Sequence, residues 1–177
     1  TSIAPATTGQ QLNLYLREVR GKTSSERIPV LFVHGAGTPA EVAFDVPVAG
    51  YSWMAWLAQH GFDTYAVDMT GYGRSARTTV ESDWHDIDAA VEFVRKRHGV
   101  DKVHLVGWSQ GGPRTLGYAH AHADKIANVV VLAPAYNRNA PAKATEALLS
   151  GASVTKQSQQ DFLKQWNGQA PCSKQYE

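Results

Sequence analysis

Ser109 stands between two glycines, in Gly107-Trp108-Ser109-Gln110-Gly111, directly after the apolar run Val103–Val106. A serine hydroxyl acts as a nucleophile when it is exposed, when a base takes its proton, and when donors hold the oxyanion that forms. The glycine-x-serine-x-glycine spacing answers the first need. It fits a sharp strand-to-helix turn, with a glycine on each side to make room for a strained backbone. Pro113 suits a first helical turn, where its missing N–H costs little. The N-terminus of the following helix favours negative charge developing near Ser109. Two other stretches carry glycine-rich turns after apolar runs: His34-Gly35-Ala36-Gly37 and Asp68-Met69-Thr70-Gly71-Tyr72-Gly73-Arg74-Ser75.

The elements that must position these residues alternate. Leu12, Leu14 and Leu16 recur at every second place, the period of a half-buried strand. Val30–Val33 is a continuous apolar run, as expected of a strand buried on both faces. Trp53, Trp56, Leu57 and His60 have helical spacing, with Gly61 as a stop. A strand is expected over residues 62–67. Trp84, Ile87, Val91 and Val94 lie on one helical face, followed by a basic last turn and Gly99. A strand from Val103, a helix over residues 115–122 and a second buried strand centred on Val129–Leu132 complete the series. This order predicts an α/β fold with a mostly parallel sheet covered by helices on both faces. Beyond Tyr136 the chain turns small, polar and Ala/Ser-rich. Phe162, Leu163 and Trp166 suggest a short amphipathic helix there. The expected division is a core over residues 1–136 and the start of a cap, or a linker, over residues 137–177.

The three motifs together resemble the α/β-hydrolase fold family, in the family's order and rough spacing. The likeness covers residues 12 to 135, the first two-thirds of such a fold. His34–Gly37 resembles the oxyanion loop after the third strand, Asp68–Ser75 the turn after the fourth, and Gly107–Gly112 the nucleophile elbow after the fifth. The resemblance implies that Ser109 is the nucleophile and that the backbone N–H groups of Ala36 and Gln110 form the oxyanion hole. It also implies that His34 shapes its loop rather than acting as a base. Asp68 then belongs to a structural turn, which Arg74 and Ser75 brace.

In this fold the triad runs serine, acid, histidine along the chain. The seven histidines are residues 34, 60, 85, 98, 104, 120 and 122. His120 and His122 fall on the helix after the elbow, two apart and so on different sides. His85 and His98 sit on an outer helix, and His104 lies inside a strand. Where some relatives carry the acid, after the strand near Val131, this chain reads Ala133-Pro134-Ala135-Tyr136-Asn137. Glu146 is the nearest later carboxylate. The triad acid and histidine are therefore expected from outside this chain. Three explanations stand: a second polypeptide, a downstream segment of a longer enzyme, or a triad-less binding protein on the same scaffold. Cys172, the single cysteine, forms no disulfide within the chain, and a tether to a partner is one reading of it. The chain begins at Thr1 rather than Met, and a cleaved export signal is one option.

Composition bounds the function. The 177 residues are 43% hydrophobic and 19% charged, an ordinary globular mix for one domain. The net charge of +1 provides no basic field for nucleic acid. No apolar run is long enough to span a bilayer. No cofactor is expected: metal-ligand spacing and a phosphate loop are both missing. The expected activity is carboxylic ester hydrolysis through an acyl-enzyme on Ser109, with a small-molecule ester as substrate. Amide, lactone or carbon–carbon bond hydrolysis, perhydrolysis and a non-catalytic binding module are the alternatives. Halide displacement is disfavoured, because those relatives place an aspartate where Ser109 stands. The long segment from Thr38 to Trp53 follows the oxyanion loop. With Trp108, its Phe44, Tyr51 and Trp53 either line an apolar pocket or pack on the sheet.

Overall fold

The computed structural model describes residues 11–21, 28–77, 84–135 and 157–169. Its strands are β1 (Leu16–Val19), β2 (Val30–Val33), β3 (Thr64–Val67), β4 (Val103–Trp108) and β5 (Ile126–Leu132). Its helices are α1 (Ala40–Phe44), α2 (Trp53–Gln59), α3 (Trp84–His98), α4 (Gly111–Ala121) and α5 (Gln159–Gln169). The sheet order is β1-β3-β2-β4-β5; β1 runs antiparallel to β3 and the other pairs are parallel. This is the expected α/β architecture.

Strand periodicity builds the two layers. On one face, Leu31, Val33, Tyr65, Val67 and Leu105 pack with Ile87, Val91 and Val94 of α3 and Tyr118 of α4. On the other, Val30, Phe32, Ala66 and Val106 pack with Ala40 and Phe44 of α1 and Met54 of α2. Val33 pairs with Val67 and with Gly107, and Trp108 pairs with Leu132. The residues that follow these strands therefore leave the same end of the sheet. His34, Asp68 and Ser109 come together there because the ladders are parallel and in register, at the carboxyl edge where α/β sheets place ligands.

Four expectations are corrected. The alternation at Leu12, Leu14 and Leu16 does not form a strand; β1 begins only at Leu16. Residues 13–15 bond to the turn after β3 instead: Ala76 N–H donates to the Asn13 carbonyl at 2.8 Å and Tyr15 N–H to Ser75 Oγ at 2.8 Å. In α2 the fully buried face is Met54 and Ala58, while Trp56 is exposed and stacks on His60 at 3.9 Å. α4 begins at Gly111, earlier than residue 115, directly behind the elbow. β5 is not buried on both faces. Among the described strands only β4 pairs with it, which makes it the edge of the described sheet, and Val130 is 48% exposed.

The helix face of α3 is as expected at Ile87, Val91 and Val94, whereas Trp84 is partly exposed. Its indole lies over Gly117 of α4, where a Cβ would stand 2.6 Å from the ring. α5 is capped by Ser158, whose Oγ accepts from Asp161 N–H at 3.1 Å, and its Phe162 is exposed. The Trp166 side chain, Glu146 and Cys172 lie outside the described residues. Among the described residues no helix is long and apolar enough to cross a membrane.

Candidate active site

Ser109 has φ +52°, one of two non-glycine residues among those described with positive φ. A left-handed backbone costs a non-glycine residue about 1–2 kcal/mol, so the surroundings must hold it there. They do so through three backbone hydrogen bonds. Ser109 N–H donates to the Leu132 carbonyl at 2.9 Å. The Ser109 carbonyl accepts from Gly112 N–H at 3.0 Å and from Ala135 N–H at 2.9 Å. The turn is thus locked between the start of α4 and the end of β5. The flanking glycines are required by close approach. A Cβ on Gly107 would lie 2.3 Å from Thr115 Oγ1, and one on Gly111 2.4 Å from the Val33 carbonyl oxygen. Ser109 itself is half-exposed.

The loop after β2 runs directly against the serine. Gly35 is buried, and a Cβ there would stand 2.9 Å from Ser109 Cβ and 3.4 Å from its Oγ. Ala36 follows and is exposed. Gln110, on the other side of Ser109, precedes α4 as its N-cap. Its side-chain Oε1 is buried without a hydrogen-bond partner among the described residues. The two backbone positions expected to hold an oxyanion thus flank Ser109, one on the loop touching it and one adjacent in sequence.

His34 is fully buried, and both ring nitrogens are in use. Nδ1–H donates to the Gly35 carbonyl at 2.7 Å, and Nε2 accepts from Met69 N–H at 3.0 Å. That pairing requires the neutral ring. Burial, foremost, holds the His34 pKa below the ordinary histidine value. The stability linked to it is therefore fully present above the unfolded pKa and is lost as pH falls through and below about 6.5. Chemical denaturation should show stability declining from about pH 7 to 5. His34→Gln should flatten that slope. A smaller slope of the same sign should remain from His104, whose pKa burial also lowers.

Of the side chains expected to line a pocket, Trp108 is half-exposed at the end of β4 and packs against the α1/α2 core. Phe44 is placed otherwise. It is 3% exposed, with its ring 4.7 Å from Phe32 and 6.3 Å from Trp53. This is the packing alternative for Phe44. Phe44→Ala should cost about 3–5 kcal/mol in an equilibrium unfolding experiment, without changing preference among substrates. Tyr51 is 76% exposed on the loop that α2 follows.

All seven histidines fall within the described residues. His104 lies near the start of β4, at the opposite end of the strand from Ser109, about 16 Å away at strand rise. His120 and His122 end α4, a comparable distance along the helix. His60 caps the C-terminus of α2 and stacks on Trp56. His98 Nε2 is 2.7 Å from Tyr65 Oη, at the start of β3. His85 is exposed on the first turn of α3. His34 is thus committed to its loop, through both ring nitrogens.

The sequence did not reveal the buried charges beneath the turn loops. Asp86, fully buried in α3, accepts from Thr70 N–H at 2.7 Å and from Thr70 Oγ1 at 3.0 Å. Arg114, 8% exposed in α4, acts electrostatically on His34 together with Asp68 and Asp86. Asp45 is 7% exposed and is held by the Arg17 guanidinium and the Ser52 hydroxyl. Only the place of Arg114 directly behind the elbow hinted at such a role.

A strained serine between a parallel strand and a helix, with a glycine loop against it, defines the α/β-hydrolase class. The chain belongs to the alpha/beta hydrolase fold family, whose model matches residues 28–177. It is 37% identical over 78 residues to the poly(3-hydroxyalkanoate) polymerase subunit PhaC of Allochromatium vinosum, which covers 43% of this chain and 22% of that protein. It is 28% identical over 123 residues to the 2-hydroxy-6-oxo-6-(2'-aminophenyl)hexa-2,4-dienoic acid hydrolase of Metapseudomonas resinovorans, covering 67% and 39%. Among solved structures it is similar to a thermophilic esterase from Thermogutta terrifontis, with a TM-score of 0.60 and 20% identity over 83% of this chain and 49% of that one. The chain spans less than half the length of each of these proteins. Esterases recur among the structural neighbours.

Proposed function

We propose that the protein is a serine hydrolase acting on a small carboxylic ester. Ser109 Oγ attacks the carbonyl carbon, and its proton passes to a histidine from outside this chain. An acid, also from outside, orients that histidine. The Ala36 and Gln110 N–H groups hold the oxyanion. The ester C–O bond then breaks, the alcohol leaves with the proton from the histidine, and water releases the acyl group by the reverse route. The acid and histidine come from a second polypeptide or a downstream segment. Residues 1–136 form the core, and residues 137–177 begin a cap that excludes water and selects substrate.

The observation that carries this reading is the positive φ of Ser109, half-exposed and in contact range of Gly35. Backbone strain of this kind is kept where function uses it. Trp108 and the exposed Tyr51 favour an apolar or aromatic substrate group. Carbon–carbon bond hydrolysis is a second reading, supported by the likeness to the Metapseudomonas resinovorans hydrolase. It uses the same serine and the same donors.

The test uses the protein joined to its acid and histidine. With p-nitrophenyl acetate it should release a burst of p-nitrophenol, and the acetyl adduct should map to the peptide carrying Ser109. An adduct on another residue, or steady release with no adduct, contradicts the proposal. Ligand binding without any adduct identifies a binding module.

A further inference from the structure

We propose that Asp68 is a positioning residue for the loop that carries the Ala36 N–H group, acting through the first amide of α1. Its catalytic consequence rests on the ester hydrolase reading above. The loop from Gly35 to Pro39 is pinned at both ends by the turn after β3. At the near end, Met69 N–H donates to His34 Nε2 at 3.0 Å. At the far end, Ala40 N–H donates to Asp68 Oδ1 at 2.8 Å. The pins are adjacent in sequence on the turn, at residues 68 and 69, and six residues apart on the loop side, at 34 and 40. Between them lie buried Gly35, against Ser109, and exposed Ala36.

The carboxylate is itself fixed. Asp68 is 2% exposed, and its Oδ2 accepts from Arg74 N–H at 2.9 Å. A Cβ on Gly73 would lie 1.9 Å from that oxygen, so the carboxylate sits on bare backbone. The Ser75 hydroxyl donates to the Asp68 carbonyl, and Ser75 Oγ accepts from Tyr15 N–H. Both carboxylate oxygens thus accept from backbone amides on two different segments. Asparagine offers one acceptor where two are needed and turns an N–H toward an N–H, leaving a buried donor unpaired. The same pattern explains why Asp68 does not act as a triad acid: neither oxygen is turned toward a histidine nitrogen.

A donor aimed at a transition-state oxyanion is effective only while it is held in place. Loosening the far pin should therefore lower kcat and leave substrate binding nearly unchanged. The variants are Asp68→Asn and an amide-to-ester replacement at Ala40, which deletes the single N–H without altering a side chain. Arg74→Ala is the control, because it removes the guanidinium on Glu41 and Tyr15 but keeps the Arg74 N–H.

Hydrogen exchange over residues 35–40 should rise about tenfold or more in Asp68→Asn and, at residues 35–39, in the ester variant. On p-nitrophenyl acetate, kcat of the completed enzyme should fall on the order of 10²-fold with little change in KM. Arg74→Ala should change neither. If either variant folds and leaves exchange over residues 35–39 unchanged, the proposal is overturned. A loss shared equally between kcat and KM, or an equal loss in Arg74→Ala, also overturns it. If the unsubstituted enzyme never acylates Ser109, the hydrolase reading fails, and the exchange measurement alone decides whether Asp68 pins the loop.

Discussion

Ser109→Gly should stabilise the fold while abolishing acylation, and Ser109→Ala should abolish acylation without that gain. Ser109 holds φ +52°. Glycine adopts this conformation without the clash that a Cβ brings. The substitution should add about 1 kcal/mol to the unfolding free energy, or a rise in Tm of roughly 2–4 °C for a chain of this size. Alanine keeps the Cβ and therefore the strain. In the completed enzyme both variants should lose kcat by roughly 10⁶-fold, the scale seen when a nucleophilic serine is removed. Thermal unfolding beside ester turnover checks both parts. Equal Tm values for the two variants would mean that the turn stores no strain at Ser109.

Gly35→Ala should damage the site from the opposite side. The new methyl would stand 2.9 Å from Ser109 Cβ, 3.2 Å from the Trp108 carbonyl oxygen and 3.4 Å from Ser109 Oγ. None of these is the loose end of a flexible side chain, so the loop or the elbow must move. Overpacking of this kind costs about 1–3 kcal/mol. A displacement near 1 Å between nucleophile and oxyanion donors costs about 10²-fold in rate. Turnover should thus fall further than stability alone explains, and fluorophosphonate should label Ser109 more slowly by a similar factor. A folded variant with unchanged labelling would place the oxyanion donors elsewhere.

The parts of the molecule that were legible in sequence are those set by local pattern. β2 coincides residue for residue with an apolar run that needs burial on both faces, and β4 starts at the expected Val103 but runs two residues past Val106, to Trp108. The elbow was legible because glycines at 107 and 111 are demanded by contacts that no other residue allows. Pairing partners were not legible. Residues 13–15 alternate like a strand, yet their hydrogen bonds go to Ser75 and Ala76, which no local pattern announces. β5 reads as an interior strand because it is rich in valine, whereas among the described strands only β4 pairs with it, and strand pairing is not written in local pattern. Phe44 shows the same limit at the site. An apolar ring on a loop near a nucleophile suits a pocket and a core equally, and only packing on Phe32 decides. The motif around Asp68 was visible, whereas the reach of its carboxylate to Ala40 required the fold.

His34 is bonded through both nitrogens, and His60, His98, His104, His120 and His122 occupy helix ends or strand starts remote from the elbow. On the proposed reading, the serine takes its base from outside this chain. The most direct test is the rate of Ser109 labelling by a fluorophosphonate, measured on the 177-residue chain alone and on the same chain joined to its acid and histidine. The joined protein should label rapidly, on Ser109, and the chain alone should label more slowly by orders of magnitude. Equal rates for the two, or a joined protein that does not label at Ser109, would contradict the proposed reading.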